Sequence, residues 1–378
     1  MNYAPTSTMA RVATAPATAT AARLVSLDVF RGLTMAGMVV VNNPGDWSHV
    51  YAPLLHAEWN GWTPTDLIFP FFLFIVGVAI TLSRRSASIP SILKRGAIIF
   101  AVGLFLAGYP GFDPSHWRIP GVLQRIAICY AAAALLFRTR RGPVLLASVA
   151  TALMLGYWAV MMLVPVPGGS AGDLSPGADL GAYVDRTLMG DHLWKPTWDP
   201  EGLLSTFPAI ATTLLGTLAG LWMRTDGPAG RRAGLLAAAG VTSMAVGEMW
   251  SIGFPINKNL WTSSYVMFTA GAAALFFALC YWIIDVKGWR GWTKPFVILG
   301  MNALALFALS ALLVKTMARI SITLDDGTSM SSSRLLYAEI FEPYLAPKNA
   351  SLAYALANLA FLFLILLWMY RRRIFLKA

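Results

Sequence analysis

Charge is scarce in this sequence. Only 12% of its 378 residues are Asp, Glu, Lys or Arg, about half the share a soluble domain carries, while 57% are hydrophobic. That balance excludes an ordinary water-soluble globular protein. Cysteine is nearly absent as well. The two present, Cys129 and Cys280, fall inside long apolar runs, where they read as small packing residues and not as a disulfide framework or metal ligands. No metal site is expected. The 29 Lys and Arg exceed the 18 Asp and Glu, and taken alone that surplus would suit a nucleic-acid partner. The basic residues fall in short clusters between the apolar runs, a pattern of membrane topology and not of a polyanion groove. No nucleic-acid partner is expected.

Long apolar runs are what the chain has in quantity. A helix needs roughly 20 apolar residues to cross a bilayer, and ten segments qualify, at about 24–42, 64–83, 92–109, 119–137, 143–164, 202–223, 232–252, 262–284, 294–317 and 351–370. The expected fold is an all-α polytopic membrane bundle spanning 23–378, in contact with membrane lipid. Residues 1–22, rich in Ala, Thr and Pro, lack periodicity and read as a disordered tail. The first run carries Asp28 and Arg31 in its opening turns and no cleavage site follows it, so it reads as a retained helix.

The basic residues orient the bundle. Nineteen of them fall on the tail and the exits of even-numbered segments, against eight on the odd-numbered exits. The positive-inside rule then puts both termini of this multi-pass chain in the cytoplasm. The opposite face takes the longer loops, near 43–63, 165–201 and 318–350, and all four histidines, His49, His56, His116 and His192. Histidine moves protons near neutral pH, so candidate chemistry belongs at the outer face.

The most unusual stretch joins the first two segments, VNNPGDWSHVYAPLLHAEWNGWTPTDLIFPFF at 41–72. It gathers Asn42, His56, Glu58, Trp59, Asn60 and Asp66 beside two membrane ends. An aromatic belt with polar loop residues accounts for part of this, and Asp66, following Thr63 and Pro64, suits a helix cap as well as a catalytic acid. Asn257, Lys258, Asn259, Ser263 and Ser264 crowd the outer ends of the seventh and eighth segments, either as donors to a ligand or as a capped helix start. Asp28, Arg31, Arg125 and Glu248 lie in or near spans, where an unpaired charge is expensive.

The segments RLVSLDVFRGLTMAGMVVVNNPG and LLHAEWNGWTPTDLIFPFFLFIVG resemble the catalytic core of the heparan-α-glucosaminide N-acetyltransferase family, the lysosomal transmembrane acetyltransferase and its bacterial homologues. GVLQRIAICY at 121–130, WDPEGLLSTFPAIATTLLGTLAG at 198–220 and FPINKNLWTSSYVMFTAG at 254–271 extend the resemblance over nearly the whole chain from Arg23. It implies a transmembrane acyltransferase-like bundle, acetyl-coenzyme A as co-substrate, an amino-sugar acceptor and a homodimer. By motif match it places the catalytic histidine on His56, with Asn42 and Asp66 assembling the active site. Beside it, the residues themselves offer Arg31, Arg125, Asn257, Lys258, Asn259, Ser263 and Ser264 as candidates to hold the donor, and Glu58, Trp59 and Asn60 to meet the acceptor.

The residues suit that chemistry. An amine must be unprotonated to attack a thioester, and a neutral imidazole can take its proton. Asp66 could set the imidazole tautomer while Asn42 donates to the developing oxyanion, or the two roles could be exchanged. Direct transfer and an acetyl-histidine intermediate both remain open. A sugar permease with a His56–Asp66 proton relay and an O-acyltransferase of an envelope glycan are the rival readings.

Overall fold

The computed structural model describes residues 24–83, 88–139, 142–325 and 327–376. The tail expected at 1–22 lies outside the described residues. In chain order the helices are α1 Val25–Asn42, α2 Ile68–Leu82, α3 Ile89–Gly108, α4 Val122–Arg138, α5 Gly142–Leu163, α6 Leu180–Met189 and α7 Leu203–Met223. They continue with α8 Ala229–Trp250, α9 Ser263–Tyr281, α10 Lys294–Met301, α11 Ala303–Arg319, α12 Ser332–Ile340 and α13 Pro347–Arg371. A two-stranded antiparallel hairpin, β1 Ser321–Thr323 and β2 Ser329–Ser331, is the sheet among the described residues.

All ten apolar segments are helical. Eight helices are long and apolar enough to cross a membrane. The single helix expected over 294–317 is instead two, α10 and α11, which meet at 79° around Asn302, as a broken span or a re-entrant loop does. Asn302 holds the break by accepting the N–H of Leu376 at 3.1 Å and donating to the carbonyl of Ile374 at 3.2 Å. The segment expected at 119–137 forms α4, whose 17 residues leave it outside the eight, so ten expected crossings become eight, or nine with the bent pair, among the described residues. The outer loops are not featureless, since 165–201 contains α6 and 318–350 contains the hairpin and α12.

Small residues decide which helices touch. A Cβ on Gly77 of α2 would stand 2.0 Å from the Thr213 carbonyl oxygen, and one on Gly216 of α7 would stand 2.1 Å from that of Phe74. Backbones this close are the membrane form of tight helix packing. Gly32 of α1 and Gly300 of α10 repeat the device, with carbonyl oxygens of Phe296 and Asp28 at 1.9 and 2.2 Å from the would-be Cβ atoms. α1 is accordingly part of the bundle, with Val29 and Phe30 fully buried. Leu155, Val241 and Leu364 stay exposed on α5, α8 and α13, as lipid-facing side chains do.

Between α1, α2, α3, α4 and the α10–α11 break lies a cavity of about 820 Å³. One end is bordered by Asp28, Arg31, Arg95 and Leu376. Its waist is Phe72, Val76, Ile99, Ile126, Leu304 and Phe307. The other end reaches Asn42, His56, Glu58, Arg118, Trp194, Trp198, Glu201 and Lys258. The fourteen residue steps of α1 from Asp28 to Asn42 rise about 21 Å, so the cavity runs most of the length of a span.

Candidate active site

The local sequence explains how His56 meets an acid. Thr63 and Pro64 open a short 3₁₀ turn, Pro64–Leu67, with Asp66 as the acid of a capping box, in which side chain and backbone satisfy each other's open donors. Oδ2 of Asp66 accepts the N–H groups of Ala57 and Thr63, both at 3.0 Å, and the Thr63 hydroxyl at 3.2 Å. Oδ1 remains for His56, whose Nδ1 lies 2.6 Å away. The carboxylate therefore serves the cap with one oxygen and the imidazole with the other. Asp66 is 1% exposed, and Tyr265 fixes its backbone by donating to its carbonyl at 2.5 Å. With Nδ1–H donated to the carboxylate, Nε2 is the nitrogen left to take a proton. His56 is 47% exposed and lines the cavity.

A second segment completes the site. Gly61, at φ +96°, turns the loop so that its N–H reaches the Ile256 carbonyl at 2.7 Å, and Asn257 donates to Asn60 Oδ1 at 3.1 Å. This stitching delivers Lys258, whose Nζ is 3.0 and 3.2 Å from the two imidazole nitrogens and 3.6 Å from Asp66 Oδ1. Burial pushes its ammonium below the usual lysine range, with Asp66 and Glu201 pulling against that.

The rim of the cavity beside His56 is a charged clamp. Arg118 grips Asp199 with Nε and Nη2 at 2.8 and 2.6 Å and reaches Glu201 at 2.5 Å. Burial opposes this cation, but the two carboxylates outweigh it and hold it firmly protonated. Trp198 and Trp194 lie edge to face at 5.5 Å, and both line the cavity.

The remaining expected site residues divide. Asn42, Arg31, Glu58 and Asn259 line the cavity together with His56 and Lys258. Asn257 is buried in its turn, accepting the Leu260 N–H at 2.9 Å. Ser263 and Ser264 donate to the carbonyls of Met154 and Phe254, so their hydroxyls close the start of α9. Trp59 donates to the Leu174 carbonyl at 2.9 Å and packs on Trp198; neither it nor Asn60, which accepts from Asn257, is in the cavity lining. Arg125 is 1% exposed and sits against the start of α7, donating to Gly202 and Ser205, with Trp261 5.1 Å from its guanidinium. It does not line the cavity. Four residues missed in the sequence do: Arg95, counted there as an inner loop charge but carried in the second turn of α3, Arg118, Glu201 and Trp194. The acid–acid spacing of WDPEG was the available sign for Glu201. Among the described residues no three His, Cys, Asp or Glu side chains gather as metal ligands.

Fold and site together define a polytopic helical membrane protein that presents a His–Asp pair at one end of a cavity threading its bundle. Residues 23–246 match the family model "Heparan-alpha-glucosaminide N-acetyltransferase, catalytic". The chain is 33% identical to the heparan-alpha-glucosaminide N-acetyltransferase of Homo sapiens over an alignment covering 75% of this chain and 52% of that protein. It is likewise 33% identical to that of Mus musculus, covering 75% and 53%. The chain belongs to the heparan-α-glucosaminide N-acetyltransferase family. It spans about half the length of these curated relatives.

Proposed function

We propose that the protein transfers an acetyl group from acetyl-coenzyme A to the amine of glucosamine or a glucosamine-terminated saccharide, with the donor reached from the cytoplasm and the acceptor from the outer face. One observation carries this reading: a single cavity joins guanidinium groups at one end to the His56–Asp66 pair at the other. Arg31 and Arg95 suit phosphate oxygens. The apolar waist suits the long uncharged arm of the donor, and the rim of Trp194, Trp198, Glu58 and Glu201 suits an amino sugar, as aromatic faces and carboxylates do.

His56 Nε2 takes the amine proton as the nitrogen attacks the thioester carbonyl directly. Asp66 holds the tautomer and steadies the imidazolium. Asn42 supplies an amide donor toward the carbonyl oxygen as it gains charge. The family resemblance extends this reading to a homodimer in a bacterial inner membrane, and the asymmetry of the basic residues to termini on the inside. The test is glucosamine-dependent release of free thiol from acetyl-coenzyme A by the purified protein. Sugar uptake into proteoliposomes without thioester consumption would replace the reading with a permease, and turnover only with hydroxyl acceptors would replace it with an O-acyltransferase.

A further inference from the structure

We propose that Lys258 is a positioning residue for the proton: its ammonium, lying over the face of His56, keeps the imidazole uncharged at rest and drives the proton it later accepts on to the departing sulfur. The inference rests on the acetyl-transfer reading above. Nζ stands 3.0 Å from Nδ1 and 3.2 Å from Nε2. The two ring nitrogens flank Cε1, so an atom nearly equidistant from both and lying in the ring plane would collide with that carbon. Nζ therefore lies over the ring, and its effect on the imidazole is that of a charge, not of an in-plane hydrogen bond.

The charges around the ring can be counted. Asp66 faces it from the turn before α2 and Lys258 from the segment between α8 and α9. Glu58 lies two residues on in its own loop. Glu201 and Arg118 stand at the cavity's outer end, already paired with each other. At rest the ring lies between the Asp66 carboxylate and the Lys258 ammonium. When Nε2 takes a proton, two cations face the Asp66 carboxylate, with Glu201 acting on Lys258 from farther out and held by Arg118, and like charges this close disfavour the protonated ring. The imidazolium is thus a relay. As the C–N bond forms and the C–S bond breaks, its electron pair leaves with sulfur, and the proton passes from the amine to Nε2 and from Nε2 to that thiolate. The products are an amide and a free thiol. An acceptor arriving as ammonium first loses one proton to water.

The experiment is the pH profile of kcat/KM, with acetyl-coenzyme A and glucosamine, for wild type, Lys258→Met and Lys258→Arg. Without the cation the ring stays protonated to higher pH, so the acid limb of Lys258→Met should move up by about one unit or more, while Lys258→Arg holds it near the wild-type position. Acetyl-coenzyme A binding, measured by calorimetry, should persist in both. An unmoved limb in Lys258→Met, or a loss confined to donor affinity, overturns the proposal and leaves the acetyl-transfer reading intact. A wild type that releases no thiol overturns the reading itself. If Lys258→Met fails to fold, Lys258→Gln is judged by the same shift.

Discussion

Nδ1 of His56 stands 2.6 Å from Oδ1 of Asp66, while Oδ2 of the same carboxylate caps the turn that starts the second membrane helix. One buried side chain thus fixes both a piece of backbone and the tautomer of an exposed imidazole. Chemistry and fold are coupled at this point, and substitutions here separate them in readable ways.

His56→Ala should lower glucosamine-dependent thiol release by roughly 10² to 10⁴-fold, the usual worth of a positioned general base. It should leave acetyl-coenzyme A binding and detergent stability in place, because the backbone of this turn is tied to Asp66 through Ala57 and Thr63. The other histidines have local partners away from the cavity, His49 with Asp46, His116 with Asp113 and His192 with the Trp117 carbonyl. Their alanine variants should keep near wild-type turnover. Normal turnover by His56→Ala would remove the catalytic assignment.

Asp66→Asn should damage both functions at once. An amide presents one acceptor and one donor, so its NH₂ must face either His56 Nδ1–H or the N–H groups of Ala57 and Thr63. The expected result is a fall in kcat on the order of 10²-fold or more, together with a stability loss of about 1 kcal/mol from the weakened cap. Thermal denaturation and kcat measured on the same preparation check it. A loss of stability with unchanged kcat would mean that Asp66 is a cap only.

Arg95 and Arg125 should behave oppositely. Arg95 lines the end of the cavity away from His56, so Arg95→Met should raise the donor KM roughly tenfold, the worth of one charge-assisted contact. Arg125 is sealed against Trp261 and the start of α7, so Arg125→Met should lower the melting temperature while the donor KM stays near wild type. The reverse pattern would put Arg125 in the donor site.

Much of this was legible in the sequence, because bilayer thickness converts directly into run length and all ten runs are helices. The break at Asn302 was not, since both sides of it are equally apolar and the bend depends on ties to Ile374 and Leu376 some seventy residues away. His56 and Asp66 could be paired because they share one short loop. The placement of Lys258 over that pair could not, because it is set by the contacts of Gly61 and Asn257 across nearly two hundred positions. Ser263 and Ser264 looked like ligand donors for a related reason. A sequence shows a hydroxyl, but not the buried carbonyl that uses it.

Orientation can be read by thiol labelling. Cys129 and Cys280 are buried, so the native background is low. Cysteines placed at Ser88 and Gly288 should resist an impermeant thiol reagent in intact cells, and one at Ala171 should react, if the basic clusters lie inside. Labelling at Ser88 with protection at Ala171 would invert the topology, and with it the face from which the donor arrives.

Asp185 gives the fold a pH dependence of its own. It lies on α6 in an outer loop, where its Oδ1 accepts the Leu203 N–H at 2.9 Å at the start of α7. Burial pushes its carboxyl from the ordinary 3.8 up to about 6, Asp199 and Asp179 add to the rise, and the Leu203 N–H and Arg125 oppose it. The folded state therefore binds this proton more tightly than the unfolded chain does. The resulting stability is fully present below the unfolded value and is lost as pH rises through the folded one. A shift of this size is worth about 3 kcal/mol at most. Asp185→Asn retains an acceptor for Leu203 and cannot ionise, so it should melt higher than wild type at neutral pH by an amount equivalent to about 1 to 3 kcal/mol. The advantage should vanish toward about pH 4, where the wild-type carboxyl is protonated in the folded state. A variant that is no more stable than wild type at neutral pH would show that Asp185 is charged without cost, solvated in a way its buried position does not provide.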